Sequence, residues 1–306
     1  MLSATDLLYR IYLAMRGKRV WHWRYYGPHY HAERTDAGYS VTYRGRRFDF
    51  GVPVRSEHVD RPLIILCAGP SVSEILRPER VWGHTALAMN GSHSLYDGNA
   101  EVFSYYLVSD IGFIRRQWDS FVRGVAVSRT LLLDHRVIAE VLSRSEAPLR
   151  GKEVLCFNNL HRPFGRPLEK PQDRPQAGFF CRDGIVFSIN PDLGFNPSKT
   201  VAYVALEIGV ALGFRDIRFL GLDLGGSGRF YAEKGAEKTM IADDYEGYIE
   251  PHFRYASEVC GRLGVVLRNG SPVSRLPNAI IPRTSPEWVL SEPMGPMAPG
   301  IAARCE

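Results

Sequence analysis

The chain has 306 residues, 45% of them hydrophobic, enough to bury one large core or a core with a small addition. No apolar run reaches the roughly 20 residues that a bilayer-spanning helix needs. The N-terminal stretch carries its charges after its apolar residues and has no small-residue cleavage site, so it reads as a poor secretory signal and a cytosolic location is expected. Five cysteines (67, 156, 181, 260 and 305) form no C-x-x-C pair, which argues against a disulfide framework or a zinc site and for a reduced compartment.

The net charge of +5 is matched by the first 49 residues alone, where nine Arg/Lys face four acids. This basic stretch is interleaved with Trp21, Trp23, Tyr25, Tyr26 and Tyr30. Residues 1–60 therefore read as a basic aromatic appendage. A contact with an anionic membrane surface suits that mixture, with the rings at headgroup level. Nucleic acid is the other anion this composition allows, but the membrane surface is the expected contact and no nucleic-acid partner is expected; a solvated amphipathic helix followed by a small hairpin is the plain structural reading.

From residue 61 the pattern changes to alternating strands and helices. "LIILCA" is a continuous apolar run, as for a strand buried on both faces of a parallel sheet. Ser71 and Glu74 have capping-box spacing for a short helix after it. "TALAMN" and "VFSYYLVSD" are further strands, and "IGFIRRQWDSFVRG" has the spacing of one helix. "TLLLD", "HRVIAEVLSR" and "EVLCFNN" continue the alternation. Residues 160–197, rich in Pro, Gly and Arg with little periodicity, read as an active-site insertion. "NPSKTVAYVALEIGVALG" then predicts a helix starting near Pro197, "DIRFLGLD" a strand, 232–250 a lid, "EPHFRYASEVCGRLG" a helix and "VVLRNGS" a last strand. Residues 284–306 read as a flexible tail. The expected fold is α/β, a doubly wound, mostly parallel Rossmann-like sheet over 61–283.

Ligands of such sheets sit beyond the carboxyl ends of the strands, where helix N-termini offer free N–H groups. Five segments fall there. Gly69-Pro70-Ser71 follows the first strand and matches neither G-x-G-x-x-G nor a P-loop, so it is a turn or a phosphate cradle. Asn90 follows the second strand and suits a base edge, a ribose or ordinary turn chemistry. Asp110 ends the third. Ser198, Lys199 and Thr200 open the long helix, where a partial positive charge and the ammonium suit a phosphate or carboxylate. Gly221 and Asp223 precede a glycine-rich run in which Arg229 and Tyr231 could clamp an anion. Asp223 alone specifies no metal, and no partner stands at ligand spacing. Of nine histidines, His252 follows the proposed lid at the start of a late helix and is the candidate proton carrier, while His93 and His135 read as satisfied polar groups near helix starts.

"LIILCAGPSVSEI", "LAMNGSHSLY", "TVAYVALEIGVALGFRDIRFLGLDLGGSGRFYAE" and "PHFRYASEVCGRLGVVLRNGSPVSRL" together resemble the bacterial lipopolysaccharide-core Kdo transferases and, more distantly, the bacterial sialyltransferases that use CMP-sialic acid. The resemblance runs from about 62 to 283. It implies a single-domain glycosyltransferase, GT-A-like without a DxD metal motif. Such an enzyme transfers an acidic 2-keto sugar from its CMP ester to a glycan or glycolipid acceptor, with neither metal nor other cofactor. It implies donor contacts at Gly69, Pro70, Ser71 and Asn90, although Ala68 stands where the sialyltransferase turn has Asn. It also implies a general base at His252, with Asp223 in reserve, and a peripheral position at the inner-membrane face. A sialyltransferase and a nucleotide- or glycan-binding accessory protein without turnover are the alternatives.

Overall fold

The computed structural model describes residues 4–54, 59–168, 177–225, 228–232 and 240–291. Seven strands form one sheet: β4 (Leu63–Leu66), β5 (Thr85–Met89), β6 (Phe103–Val108), β7 (Ser128–Asp134), β8 (Glu153–Phe157), β11 (Asp216–Leu220) and β12 (Val266–Asn269). Their order is β12-β11-β4-β5-β6-β7-β8, and every pairing is parallel. The expected doubly wound Rossmann-like sheet is therefore present. Leu63, Ile64, Ile65 and Leu66 of β4 are fully buried, with Leu63 and Ile65 packing on one face and Ile64 and Leu66 on the other. Because side chains alternate across a strand, a strand covered on both faces has no polar position, and "LIIL" is the result.

One face is covered by α5 (Val201–Ala211) and α7 (Glu250–Arg262), the other by α2 (Ile111–Arg116), α3 (Trp118–Ala126) and α4 (His135–Arg144). The helix expected over 111–124 breaks at Gln117, whose ψ of 45 is not helical. The insertion contains a hairpin, β9 (Phe179–Arg182) and β10 (Ile185–Ser188), turned by Asp183-Gly184 with both φ positive. Its residues 169–176 lie outside the described residues.

The N-terminal segment forms α1 (Ala4–Arg16) and an antiparallel sheet of β1 (Tyr30–Thr35), β2 (Gly38–Tyr43) and β3 (Arg46–Phe50). It is built into the body. Cys156 donates its backbone N–H to Gly51 (2.7 Å), the Tyr26 hydroxyl donates to the carbonyl of Arg162 (2.5 Å), and the Tyr30 hydroxyl meets His135 Nδ1 (2.7 Å). Tyr26 and Tyr30 are buried and Trp23 donates to the Arg166 carbonyl, so these rings face protein and do not reach a headgroup layer. The first part of the expected tail is ordered: α8 (Pro286–Val289) packs Val289 and Leu290 into the core, and Arg218 donates to the Val289 carbonyl (3.0 Å). Residues from 292 onward lie outside the described residues.

Candidate active site

β4 leads to β5 on one side of the sheet and β11 leads to β12 on the other, so the switch point lies between the adjacent strands β4 and β11. α5 and α7 precede β11 and β12, which places their N-termini at this same carboxyl edge.

The two strand ends are stitched together. Cys67 N–H donates to Leu220 O (2.8 Å) and Gly69 N–H to Gly221 O (3.0 Å). Ser71 donates from its N–H (2.9 Å) and its hydroxyl (2.5 Å) to the two carboxylate oxygens of Asp223. Gly69 is required by close approach, since a Cβ there would sit 2.5 Å from the Asp223 carboxylate carbon and from the Gly221 carbonyl oxygen. The Ser71 side chain therefore clamps two loops and does not cap the turn at Pro70–Glu74, which is a single 3-10 turn in place of the expected short helix.

Asn90 sits next door in the left-handed region (φ 49). Its carbonyl accepts from the Tyr106 hydroxyl (2.8 Å) and from His93 Nδ1 (2.9 Å), while its side-chain oxygen is buried with no partner. Burial lowers the pKa of His93 to about 4, so the ring stays neutral as an Asn90 holder. Tyr231 lies over Gly91, where a Cβ would come within 2.4 Å of the ring, and the Arg229 guanidinium is 5.8 Å from that ring's centroid. Phe230 N–H donates to Ala68 O (3.1 Å), so the chain after Gly228 folds back across the ends of β4 and β5. Asp110 is occupied as the N-cap of α2, accepting from Gly112 N–H (2.8 Å). Gly226 and Ser227 of the glycine-rich run lie outside the described residues.

The long helix begins at Val201, four residues beyond Pro197, and Thr200 caps it by accepting from Ala202 N–H (3.3 Å). The delay has a visible cause. Ser198 and Lys199 both hold positive φ (37 and 61), a costly state for side-chain-bearing residues. The kink is held from below by Glu207, whose buried carboxylate accepts from Ser188 N–H (2.7 Å) and Asn196 N–H (2.5 Å). It is held from the side by Asn196, which accepts from Ser198 N–H (3.1 Å) and from His161 Nε2 (3.0 Å). The Ser198 hydroxyl is buried without a partner, and Lys199 reaches toward Asp244 (3.5 Å) over the Tyr248 ring.

His252 stands beside this helix start. Its Nδ1–H donates to Tyr248 O (2.7 Å), its ring stacks on Tyr248 (5.6 Å, 5°) and meets the edge of Tyr203 (5.7 Å, 86°). That bond leaves Nε2 with its lone pair. Burial, and secondarily the nearby His161, lowers the His252 pKa below 6.5, so the ring is neutral at pH 7. Residues 233–239 of the expected lid lie outside the described residues. From Ile241 on it is ordered helix: α6 (Ile241–Asp244), a π turn over Tyr245–Ile249, then α7. Tyr245 donates to Arg275 O (2.8 Å) and Arg275 N–H to Asp223 O (2.7 Å), which ties this helical run to the Ser71 clamp.

The edge thus gathers two groups, Gly69–Ser71 with Asn90, Asp223 and Tyr231, and Ser198–Thr200 with His252. Sequence reasoning missed His161 and Glu207. Both carried a signal, since His161 closely follows a strand end and Glu207 is the one acid in an otherwise apolar helix. Two surface clefts lie elsewhere, beside the C-terminal ends of α4 and α7. Among the described residues, no three His, Cys, Asp or Glu side chains converge as a metal site would require.

No family model matches this chain, and no curated protein matches it. Among solved structures it is similar to that of MAf glycosyltransferase from Magnetospirillum magneticum AMB-1 (15% identity, TM-score 0.47), over 76% of this chain and 35% of that one. It is also similar to the sialyltransferase CST-II solved with trisaccharide acceptor and CMP (12% identity, TM-score 0.38), over 72% of this chain and 85% of that one. The chain thus spans about a third of the first of these proteins.

Proposed function

We propose that this protein is a metal-independent glycosyltransferase that moves Kdo, or a related 2-keto sugar acid, from its CMP ester to a hydroxyl of a lipopolysaccharide core or surface glycan. One observation carries the reading. At a single sheet edge, two buried polar atoms without partners (Asn90 Oδ1 and Ser198 Oγ) accompany a strained, cationic helix start and a neutral histidine with a free Nε2. The choice of CMP and of a 2-keto acid rests on the sequence resemblance at Gly69–Ser71, Asn90 and 221–231.

In this reading Asn90 and the Gly69–Ser71 turn hold the nucleotide, and the N-terminus of α5 with Lys199 holds the phosphate. His252 Nε2 takes the proton of the acceptor hydroxyl as its oxygen bonds the anomeric carbon. The bond from that carbon to the phosphate oxygen breaks, and CMP leaves with the electron pair, stabilised by N–H donors and the ammonium. Asp223 positions the turn through Ser71.

The test is a thermal-shift titration with CMP, CDP, UDP and NAD, followed by incubation with CMP-Kdo and lipid-A core acceptors. CMP is expected to stabilise the fold, and CMP release coupled to a heavier glycolipid is expected in the second step. Lys199→Ala should weaken CMP binding by about 1–2 kcal/mol. Stabilisation by UDP or NAD but not CMP refutes the donor class. Stabilisation by CMP with no release from CMP-Kdo or CMP-sialic acid favours the accessory-protein reading.

A further inference from the structure

α1 is amphipathic, but it is mounted inside out. At 100° per residue, Leu7, Leu8, Ile11, Tyr12 and Met15 share one stripe, and Leu13 lies on the opposite side with Asp6 and Tyr9. In a surface helix the stripe should face the core. Here Leu13 is fully buried, whereas Leu7 (54%), Leu8 (66%), Ile11 (50%), Tyr12 (47%) and Met15 (84%) are exposed. Five bulky apolar side chains thus form a continuous outward face, which marks a partner surface.

The charges say which partner. From Ala4 to Arg24 the chain carries Arg10, Arg16, Lys18, Arg19 and Arg24 against Asp6 alone, a net +4. Arg10 and Arg16 lie at the two borders of the stripe, and the Arg24 guanidinium covers Trp21 (4.9 Å), which is itself partly exposed. Two copies meeting through this face would bring like charges together. An anionic bilayer instead takes the apolar stripe into its acyl boundary and the cations at its headgroups. No helix among the described residues is long and apolar enough to cross a membrane, so the contact is one of lying on the surface.

We infer that α1 docks the protein onto an anionic lipid surface through Leu7, Leu8, Ile11, Tyr12 and Met15, with Arg10, Arg16, Lys18 and Arg19 at the headgroups. The inference rests on α1 and the basic residues just after it and is independent of the glycosyl-transfer reading.

The experiment is co-sedimentation of the full chain with phosphatidylglycerol/phosphatidylcholine vesicles and with pure phosphatidylcholine vesicles, alongside light scattering for mass. The wild type should sediment with the anionic vesicles, less so as salt rises, and not with the neutral ones. Leu8→Glu/Ile11→Glu should lower partitioning by more than about tenfold at an unchanged melting temperature, because both side chains are exposed. Arg16→Gln/Lys18→Gln should lower it by roughly fivefold per charge removed. Absence of sedimentation, unchanged sedimentation of Leu8→Glu/Ile11→Glu, or a wild-type dimer that this variant converts to monomer would each overturn the proposal. In the last case the occupant is a second copy.

Discussion

The Ser71–Asp223 clamp has a consequence that separates positioning from proton transfer. Ser71 and Asp223 are 3% and 4% exposed, and two hydrogen bonds of 2.9 and 2.5 Å join them. A hydrogen bond to a carboxylate is worth roughly 1.5–3 kcal/mol, and a buried donor left unpaired carries its full desolvation penalty. Asp223→Ala strands both the N–H and the hydroxyl of Ser71 and should cost about 3–5 kcal/mol. Ser71→Ala removes only the hydroxyl and should cost about 1.5–3 kcal/mol. In the double variant the stranded hydroxyl is gone, so its cost should fall below the sum by about 1–3 kcal/mol. Urea unfolding of the four proteins measures this cycle. Asp223→Asn supplies the functional arm: its oxygen accepts from Ser71 N–H, its amide donates to Ser71 Oγ, and the turn keeps its shape. If Asp223 only positions, Asp223→Asn should lose about 1–2 kcal/mol of stability, weaken CMP binding and keep turnover within roughly tenfold. Additive costs in the cycle, or an Asp223→Asn protein of full stability and CMP affinity with turnover down by more than about a hundredfold, would refute the positioning role and make Asp223 the base.

Two further outcomes follow from the histidines. His252→Gln should cut turnover by roughly 10²–10⁴-fold with CMP affinity unchanged, and wild-type turnover should decline as pH falls through a value below 6.5, because the depressed pKa keeps the base neutral above it; turnover that rises with acid in this window contradicts the assignment. For stability, His93 is held at about 4 and His135 at about 3, both by burial, against 6.5 in the unfolded chain. The unfolded chain then binds more protons between pH 6.5 and 4, so stability is full above that window and falls through it, by roughly 3 kcal/mol per ring at pH 4. Urea midpoints from pH 7 to 4 check this, and His93→Asn should make the slope shallower; an unaltered slope removes His93 from the account.

The parallel sheet was legible because burial on both faces leaves a plain mark: "LIIL", "TALAM" and "DIRFL" have little room for polar side chains, and Arg218 in the last is paired with Asp216 (2.7 Å), donates to the Val289 carbonyl (3.0 Å) and lies under the Trp288 ring (4.8 Å). The N-terminal sheet was read as an appendage because aromatic residues among arginines carry the same composition whether they face lipid or protein. Only the tertiary partners decide, and for Tyr26 and Tyr30 those are Phe164 and His135. The hairpin at Phe179–Ser188 was hidden by its short strands and the prolines around it. The ordered end at Pro286–Val289 was hidden because a four-residue turn has no period to read.

The candidate site was legible in its glycines and not in its strain. Among the described residues, six other than glycine hold positive φ: Arg44, Asn90, Asp183, Ser198, Lys199 and Leu224. Arg44 and Asp183 are each followed by glycine in tight hairpin turns, where left-handed backbone is the ordinary solution. The other four lie in no hairpin, and all are at the carboxyl edge, after β5, before α5 and after β11. Each costs of order 1–3 kcal/mol, so neighbouring structure must over-determine it. That structure is visible: Tyr106 and His93 grip the Asn90 carbonyl, and Glu207 with Asn196 holds the Ser198–Lys199 kink. A helix could have started at Pro197 at no such cost. Delaying it by four residues leaves the Ser198 hydroxyl buried and unsatisfied at the mouth of the sheet and carries Lys199 out to Tyr248 and the His252 wall. The strain is thus concentrated at the helix start to which the phosphate of the donor is assigned, in residues whose identity alone gives no warning of it.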